Sequence, residues 1–345
     1  MKLTLEEART AFSGFQELRD HHGAFLFERF TPAQRDAAWE AGHRYHLRSF
    51  SVSGVCLDVI TDADALSFDQ VNAWMSAKRP YVNYDLYIDG VLYDHKGVAR
   101  EGVFPGNVRK ELPELSYRFE LPAGEKRVTL YLPELAHVEL KNVELEGARF
   151  FTPWRYDGTL VAFGDSITEG TEVRYAGMVY IEQVARLMNY KLYDFGIGGD
   201  RFTPHVLNGG GFPKADLVTV ALGTNDFART DKETFLNGVK GFLKRLHELY
   251  PDTPTVLITP VWRMKEQDGE VYALGSFQEM RDLIRREAER YPTITVAPGE
   301  KMLPRTAEVL WDGTLHPNDF GNTQYALRLF GFLVDRGFYP RKENK

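Results

Sequence analysis

The chain has 345 residues, of which 43% are hydrophobic and 26% are charged, and this composition excludes a disordered, collagenous or coiled-coil protein. Its net charge of -7 comes from 49 acidic and 42 basic residues without a Lys/Arg block, which argues against a nucleic-acid or anionic-membrane partner. The single cysteine, Cys56, excludes an internal disulfide. The length predicts two domains, or one domain with a large addition.

The N-terminal residues, Met1-Lys2-Leu3-Thr4-Leu5-Glu6-Glu7, lack the uninterrupted apolar segment of a secretory signal. The sequence also has no run of about 18 apolar residues that could cross a bilayer. We therefore expect a soluble, cytoplasmic protein without a membrane partner.

The first part of the chain, residues 1–155, is predicted to be a β-rich sandwich or jelly roll with a helical start. Thr31-Pro32-Ala33-Gln34 is typical of a helix N-terminus, and the rest of the first 48 residues mix helical and irregular signals. Short runs of β-forming residues follow, and Asp89-Gly90 between two of them is typical of a tight hairpin. The predicted strands are Val55–Ile60, Phe68–Trp74, Tyr84–Ile88, Val91–Tyr93, Tyr117–Leu121, Lys126–Tyr131 and Val138–Leu145.

From residue 156 to 345 the pattern changes to alternating strands and helices, which predicts a three-layer α/β domain. Five nearly continuous apolar runs are typical of strands buried on both faces of a parallel sheet: Leu160–Phe163, Leu192–Phe195, Leu217–Leu222, Thr255–Thr259 and Ile294–Ala297. Helical periodicity follows at Met178 to Met188 and at Phe235 to Leu246, the second opening with the capping-box pattern Thr230-Asp231-Lys232-Glu233. A last helix is predicted from Thr323 to Arg336, with Gly337 just beyond its end.

Chemically active side chains concentrate in four loops of this second part. Function in open α/β sheets lies at the carboxyl ends of the strands. The loops are Gly164-Asp165-Ser166-Ile167-Thr168-Glu169-Gly170, Gly196-Ile197-Gly198-Gly199-Asp200, Gly223-Thr224-Asn225-Asp226 and Asp312-Gly313-Thr314-Leu315-His316-Pro317-Asn318. Nucleotide binding is disfavoured because Arg201 stands where a dinucleotide fingerprint needs its last glycine.

Taken singly, each of these residues has an ordinary structural explanation. Ser166 is typical of a helix N-cap, Asn225 of a turn, and His316 of a hydrogen-bonded surface group. Taken together, a serine, N–H donors, a side-chain amide and an Asp/His pair are what acyl transfer needs. The imidazole takes the hydroxyl proton, the carboxylate orients the imidazole, and the donors hold the oxyanion.

These motifs resemble the SGNH (GDSL) hydrolase family of esterases and lipases, over roughly residues 156–340. The resemblance implies a flavodoxin-like, three-layer domain with a five-stranded parallel sheet. It also implies that Ser166 is the nucleophile, His316 the general base and Asp312 its orienting carboxylate. The oxyanion donors would be the backbone N–H groups of Ser166 and Gly199 and the side-chain amide of Asn225.

One spacing departs from the family pattern, because three residues instead of two separate Asp312 from His316. Gly313 occupies the usual position of the acid, and we expect this glycine to permit a bulge that absorbs the extra residue. The alternative is a histidine oriented by a backbone carbonyl. Asp165 is predicted to hold the loop of residues 164–170, which we call the nucleophile loop, by accepting backbone hydrogen bonds.

Three further residues are candidate substrate contacts: His205, Trp262 and Arg263. The alternatives are a surface or helix-start histidine for the first and simple packing for the other two. No His/Asp/Glu cluster has the spacing of metal ligands, and the predicted mechanism needs no metal or cofactor.

The favoured function is a serine esterase that removes short acyl groups, in particular acetyl, from a carbohydrate or another small polar molecule. A β-rich part ahead of an SGNH part is similar to the arrangement in carbohydrate acetyl esterases. The second part has no apolar loop that resembles the lid of a long-chain lipase. The alternatives are an acyltransferase, a broad-specificity GDSL lipase or acylhydrolase, and a non-catalytic carbohydrate-binding protein. The sequence leaves a homo-oligomer open. Residues 1–155 carry none of the predicted catalytic residues and are expected to shape access, bind part of the substrate or mediate assembly.

Overall fold

The computed structural model describes residues 1–76, 81–99, 108–267 and 269–339. Two antiparallel sheets lie within residues 1–155, which we call the β-rich region. A parallel sheet lies within residues 156–345, which we call the α/β region. Residues 340–345, at the end of the predicted second domain, lie outside the described residues.

The β-rich region contains three helices and twelve strands among its described residues. The helices are α1 (Leu5–Ala11), α2 (Pro32–Ala41) and α3 (His43–Arg48). The strands are β1 (Phe12–Ser13), β2 (Glu17–His21), β3 (Ala24–Glu28), β4 (Cys56–Thr61), β5 (Ala65–Met75), β6 (Tyr81–Ile88), β7 (Val91–Ala99), β8 (Lys110–Glu111), β9 (Leu115–Glu120), β10 (Lys126–Tyr131), β11 (Ala136–Glu146) and β12 (Phe151–Pro153).

These strands form a sandwich, as the sequence predicts. One sheet has the order β1-β4-β10-β6-β7 with β12 also on β4, and the other has the order β2-β3-β11-β5-β8 with β9 also on β5. Side chains from both sheets share one buried core, for example Val59 and Leu130 from the first sheet and Phe68 and Leu140 from the second. Burial of this apolar surface is the main term that stabilises the sandwich.

Local turn and cap chemistry confirms several sequence predictions. Asp89 and Gly90 both have positive φ, 49° and 82°, as a hairpin turn that follows the strand twist requires. Thr31 caps α2 with a reciprocal capping box to Gln34. The sequence did not predict the β2–β3 hairpin, whose turn uses His22 at φ 57° before Gly23. The turn has His-Gly in place of the usual Asn-Gly or Asp-Gly signal, and the sequence pattern therefore did not reveal it.

The α/β region alternates strands and helices. Its strands are β13 (Gly158–Gly164), β14 (Tyr190–Gly196), β15 (Leu217–Ala221), β16 (Thr255–Ile258), the short hairpin β17 (Val271–Tyr272) and β18 (Gly275–Ser276), and β19 (Ile294–Ala297). Its helices are α4 (Tyr180–Met188), α5 (His205–Asn208), α6 (Lys232–Leu249), α7 (Met264–Gln267), α8 (Phe277–Ala288) and α9 (Asp319–Asp335). Single 3₁₀ turns cover Ala176–Met178, Gly299–Lys301 and Ala307–Val309.

The parallel sheet has the order β14-β13-β15-β16-β19, which confirms the predicted three-layer, flavodoxin-like α/β fold with a five-stranded parallel sheet. The chain reverses its direction of strand addition between β13 and β15, and the crevice at such a point is where open α/β sheets bind ligands. The loops after β13, β14 and β15 therefore reach the same edge of the sheet.

Two predicted helix boundaries are corrected by the structure. Helix α6 starts one residue later than its capping-box pattern suggests, because Asp231 and not Thr230 accepts the capping hydrogen bond, from the Thr234 N–H. Helix α9 starts at Asp319, capped by Asn318, because that amide oxygen accepts from Gly321 and begins the helix before the predicted start. The predicted end of α9 is confirmed: Gly337 has φ 76°, and the Phe338 N–H bonds back to the Leu333 carbonyl in a Schellman arrangement.

Part of the β-rich region is built into the α/β core. Phe30, Ala38 and Tyr45, from the segment around α2 and α3, belong to the same buried cluster as Phe195 and Leu207. The predicted boundary at residue 155 falls between β12 and β13. The division of the chain into two domains at that point stays a prediction, because this packing crosses it.

A buried ionic network also joins the two regions. The Arg29 side chain is 1% exposed and donates to the main-chain carbonyls of Asp194 (2.9 Å) and Gly196 (3.0 Å) at the end of β14. The carboxylate of Glu169, which is 0% exposed, lies 3.8 Å from Arg29 and 3.2 Å from Arg48. A buried charge is tolerated only when it is paired and hydrogen-bonded, so these contacts fix residues 29–48 against the sheet edge.

No helix within the described residues is long and apolar enough to cross a membrane.

Glu182 in α4 generates a prediction about pH and stability. Burial raises the pKa of Glu182 from 4.5 to about 8. The nearby Asp194 and Glu134 act in the same direction, and the nearby Arg186 acts against them. The folded protein then binds a proton that the unfolded chain releases, so this group makes stability fall as pH rises from about 4.5 to about 8. We expect Glu182→Gln to flatten the fall of Tm over this range in calorimetry. The exposed control Glu308→Gln should keep the parental fall of Tm. If Tm falls as steeply in Glu182→Gln as in this control, the assignment is wrong.

Candidate active site

The four chemically active loops meet at the carboxyl edge of the parallel sheet. The Ser166 hydroxyl lies 2.9 Å from Nε2 of His316, although the two residues are 150 positions apart. Nδ1 of the same imidazole lies 2.8 Å from Oδ2 of Asp312. The structure thus brings together the three residues that the sequence predicts as a triad, with nucleophile-to-base and base-to-acid distances in the range that proton transfer requires.

The extra residue before His316 is accommodated by the shape of its loop. Gly313 adopts φ 66°, a left-handed conformation that favours glycine. The loop is closed by an antiparallel bridge between Leu310 and Pro317 and by the hydrogen bond from the Trp311 N–H to the His316 carbonyl, at 2.8 Å. This geometry agrees with the bulge expected at Gly313, and the carboxylate of Asp312 reaches the imidazole.

Asp312 is held as a carboxylate. Partial burial raises its pKa, but the hydrogen bonds from the His316 side chain and from the Leu315 and Thr314 N–H groups outweigh burial and keep the pKa well below its ordinary value. The Oδ1 atom accepts from the backbone N–H groups of Thr314, Leu315 and His316 at 2.9, 2.7 and 3.1 Å. Because these backbone groups hold Oδ1, the other oxygen, Oδ2, can orient the imidazole and stabilise its positive charge.

The loop after β14, residues 196–200, forms a tight turn that we call the oxyanion loop. The Asp200 N–H donates to the Ile197 carbonyl at 3.0 Å, and Gly199 at the third position has φ 83°. A positive φ at this position is typical of a type II β-turn and requires glycine. Gly199, the predicted backbone donor, is therefore the residue whose conformation defines the turn.

The amide of Asn225 connects the oxyanion loop with the nucleophile loop. Its Nδ2 lies 3.0 Å from the Asp200 carbonyl and 3.4 Å from Oδ2 of Asp165, next to Ser166. Three predicted oxyanion donors thus come from three neighbouring loops. Their catalytic role stays a prediction.

Asp165 has the contacts expected of a residue that holds the nucleophile loop. It is 3% exposed, and its Oδ1 accepts from the Ile167 N–H at 2.9 Å. Burial raises its pKa to about 7, against the lowering effect of this hydrogen bond and of His316. Burial likewise raises the pKa of Asp200 to about 8 and that of Asp226 to about 7.

The three candidate substrate contacts lie in different environments. Trp262 is 2% exposed and belongs to the apolar core, so the structure favours packing for this residue and does not support substrate contact. Arg263 donates to the Thr224 carbonyl at 3.2 Å, beside Asn225. The His205 side chain is 12% exposed and packs on the Tyr45 ring at a centroid distance of 5.2 Å. Burial lowers the pKa of His205 to about 4, and contact of Arg263 or His205 with substrate stays a prediction.

The sequence did not predict the involvement of helix α3. Arg44 Nη2 and the Tyr45 hydroxyl donate to the Gly199 carbonyl at 3.1 and 3.3 Å. These residues precede the oxyanion loop by about 155 positions, so no local motif connects them with it. The β-rich region therefore contacts the backbone that carries a predicted oxyanion donor.

Chemically, this arrangement can activate a hydroxyl and stabilise negative charge on an attacked carbonyl oxygen. Among the described residues, no group of three or more His, Cys, Asp or Glu side chains is arranged to hold a metal ion.

Comparison with known proteins agrees with this chemistry. Residues 162–324 match the model of the GDSL-like Lipase/Acylhydrolase family. That range contains the loops with Ser166, Gly199, Asn225 and His316. None of the curated proteins matches the sequence significantly.

Solved structures share the architecture of the whole chain at low sequence identity. A salicylyl-acyltransferase, SsfX3, from a tetracycline biosynthetic pathway has a TM-score of 0.78 at 22% identity, with 94% of each chain covered. A putative GDSL-like lipase from Bacteroides ovatus has a TM-score of 0.66 at 18% identity, covering 97% of this chain and 98% of that one. An acetyl xylan esterase, Est2A, from Butyrivibrio proteoclasticus has a TM-score of 0.62 at 15% identity, covering 99% of each chain. At these identities the likeness shows the fold.

Ser166→Ala tests the predicted nucleophile. Without the hydroxyl no acyl-enzyme can form, so we expect the turnover of an aryl acetate to fall at least about 10⁴-fold and labelling by a fluorophosphonate to disappear. The control Ser116→Ala, in β9, should keep both properties. Ester hydrolysis at the parent rate in Ser166→Ala would refute the assignment.

Asp312→Asn tests the orienting carboxylate. The amide keeps the size of the side chain but loses the charge that stabilises the imidazolium and fixes its tautomer, so we expect kcat to fall by about 10²- to 10⁴-fold. The exposed Glu308→Gln, on the same segment, is the matched control. If Asp312→Asn retains parental kcat, a backbone carbonyl and not Asp312 orients His316.

Proposed function

We propose that the protein is a serine esterase of the GDSL-like lipase/acylhydrolase family, whose model residues 162–324 match. Its proposed substrates are short-chain, in particular acetyl, esters of carbohydrates or other small polar molecules. The observation that carries the proposal is the hydrogen-bonded series from the Ser166 hydroxyl through His316 to Asp312, with distances of 2.9 and 2.8 Å.

The proposed reaction proceeds through an acyl-enzyme. Nε2 of His316 takes the hydroxyl proton as Oγ of Ser166 attacks the ester carbonyl, and the Ser166 and Gly199 N–H groups and the Asn225 amide stabilise the tetrahedral oxyanion. Collapse of this intermediate breaks the bond to the alcohol, which leaves with the proton from His316. Water, deprotonated by His316, then attacks the acyl-enzyme. The bond between the acyl carbon and Oγ of Ser166 breaks, Oγ takes the proton from His316, and the acid is released.

A cleft between the β-rich region and the residue that precedes Asp312 supports a small polar alcohol. Its volume is about 610 Å³, and it is lined by Asn83, His95, Lys96, Gly97 and Tyr117 from the β-rich region and by Arg174 and Trp311 from the α/β region. Trp311, whose side chain is about half exposed, directly precedes Asp312 in the sequence. An indole face beside hydrogen-bonding side chains suits a sugar ring, which presents C–H groups on its faces and hydroxyls at its edges. The acetyl xylan esterase that shares the fold supports the same substrate class.

The acyl group is tested by a series of esters of one alcohol. We expect kcat/KM for the acetyl ester to exceed that for the octanoyl ester at least about tenfold, because a pocket that fits an acetyl group excludes a longer chain. Acetylated monosaccharides and xylo-oligosaccharides, measured beside aryl esters, then test the alcohol, with Ser166→Ala as the blank. A clear preference for octanoate would refute the acetyl proposal while leaving the serine esterase in place.

Acyl transfer is the second candidate, because the salicylyl-acyltransferase shares the architecture over 94% of both chains. In a transferase the acyl-enzyme would be attacked by a second alcohol bound in the cleft instead of by water. Adding a methyl glycoside to a reaction with a limiting acetyl ester separates the two functions. Hydrolysis predicts free acetate as the main product at every acceptor concentration, whereas transfer predicts that the acetylated glycoside dominates.

A further inference from the structure

The Gly-Gly turn of the oxyanion loop does not fix its own geometry. Glycine adopts positive and negative φ almost equally, so a turn with Gly198 and Gly199 at its centre can rotate the peptide between them at little cost. That rotation would reverse the direction of the Gly199 N–H, the predicted oxyanion donor. Something outside the loop must therefore select the observed conformation, with φ 83° at Gly199.

Side chains hold both peptides that flank this rotating unit, and the β-rich region acts on one of them directly and on the other through Glu169. On one side, the Gly198 N–H donates to Oε2 of Glu169 at 2.7 Å, and that carboxylate is itself bound by Arg48 at 3.2 Å and by the Ser51 hydroxyl at 3.0 Å. On the other side, Arg44 and Tyr45 donate to the Gly199 carbonyl at 3.1 and 3.3 Å.

Arg44 also occupies the space above Gly199. A Cβ built on Gly199 would lie 3.2 Å from the guanidinium carbon of Arg44, so this side chain is in direct contact with the glycine. Arg44 also donates to the Tyr45 hydroxyl, so the two donors form one hydrogen-bonded unit on the Gly199 carbonyl. Tyr45 is 8% exposed and is therefore placed by the core and not by the solvent.

We propose that Arg44 and Tyr45 on α3 are positioning residues for the oxyanion hole, so that the β-rich region supplies part of the catalytic machinery. This inference rests on the proposed function, because it takes the Gly199 N–H as an oxyanion donor. Neither side chain is hydrogen-bonded to Ser166 or to the predicted general base, His316. They act through the Gly199 carbonyl, and their effect is confined to the stabilisation of charge in the transition state.

The test compares Arg44→Met, Tyr45→Phe and the double variant with the parent protein. Methionine keeps an unbranched apolar stem and phenylalanine keeps the ring, but neither donates to the Gly199 carbonyl. We expect kcat for an aryl acetate to fall about 10- to 100-fold in the double variant, while KM changes less than about threefold, since a misdirected donor weakens the transition state more than the bound ester. Arg44→Lys, which keeps a positively charged hydrogen-bond donor, should recover part of the loss.

A transition-state analogue distinguishes a positioning role from a purely structural one. A trifluoromethyl ketone adds to the serine and places an oxyanion in the hole, so its affinity should fall by the same factor as kcat. His43→Ala, an exposed change on the same helix, should leave kcat and analogue affinity unchanged. If the double variant retains parental kcat and analogue affinity, the proposal is wrong, even when Ser166→Ala confirms the esterase.

Hydrogen exchange tests the proposal without any turnover. Residues 196–202 should exchange faster in Arg44→Met/Tyr45→Phe than in the parent protein or in His43→Ala, because the turn samples both peptide orientations. Exchange at the parental rate would overturn the proposal, whether or not the parent hydrolyses esters. Loss of protection throughout the chain would also overturn it, since that would show global destabilisation in place of a local effect.

Discussion

The buried carboxylate of Glu169 is the contact on which the geometry of the site depends most. It lies three positions after Ser166 and is fully enclosed, yet it accepts from Arg48, from Ser51 and from the Gly198 N–H. Removing one partner of such a buried charge typically costs about 3–5 kcal/mol, because the remaining charge is left without compensation. Through one side chain, the nucleophile loop, the oxyanion loop and the segment around α3 are held in a single arrangement.

This network changes how the β-rich region should be understood. Residues 1–155 carry no group that reacts with substrate in the proposed mechanism, as the sequence predicted. The contacts of Arg29 with the end of β14 and of Arg44 with Gly199 nevertheless place it directly behind the site. The sandwich core is a separate apolar cluster, whereas α2 and α3 share the core of the α/β region, so sequence order and packing divide the chain differently.

Local signals predicted what local physics determines. Strands β10 and β19 were predicted with the bounds that the structure shows, because each is a short β-forming run with clear turn residues around it. The loops with Ser166, Asn225 and His316 were identifiable because each follows or precedes an element with a strong hydrophobic pattern. The approach of Asp312 to His316 was expected to depend on a bulge at Gly313, and Gly313 has the left-handed conformation that such a bulge uses. The Arg44–Gly199 contact and the burial of Trp262 depend on tertiary packing, which leaves no periodicity in the sequence.

The long separation between Arg29 and its acceptors has a consequence for biosynthesis. The carbonyls of Asp194 and Gly196 are made 165 and 167 residues after Arg29. At about 5–20 residues per second, the ribosome needs roughly 10–30 s to supply them. During that interval the nascent chain lacks the residues that enclose Arg29 and the neighbouring Phe30, both of which are buried in the folded protein. The segment around Arg29 therefore cannot reach its final packing until the second half of the chain has emerged.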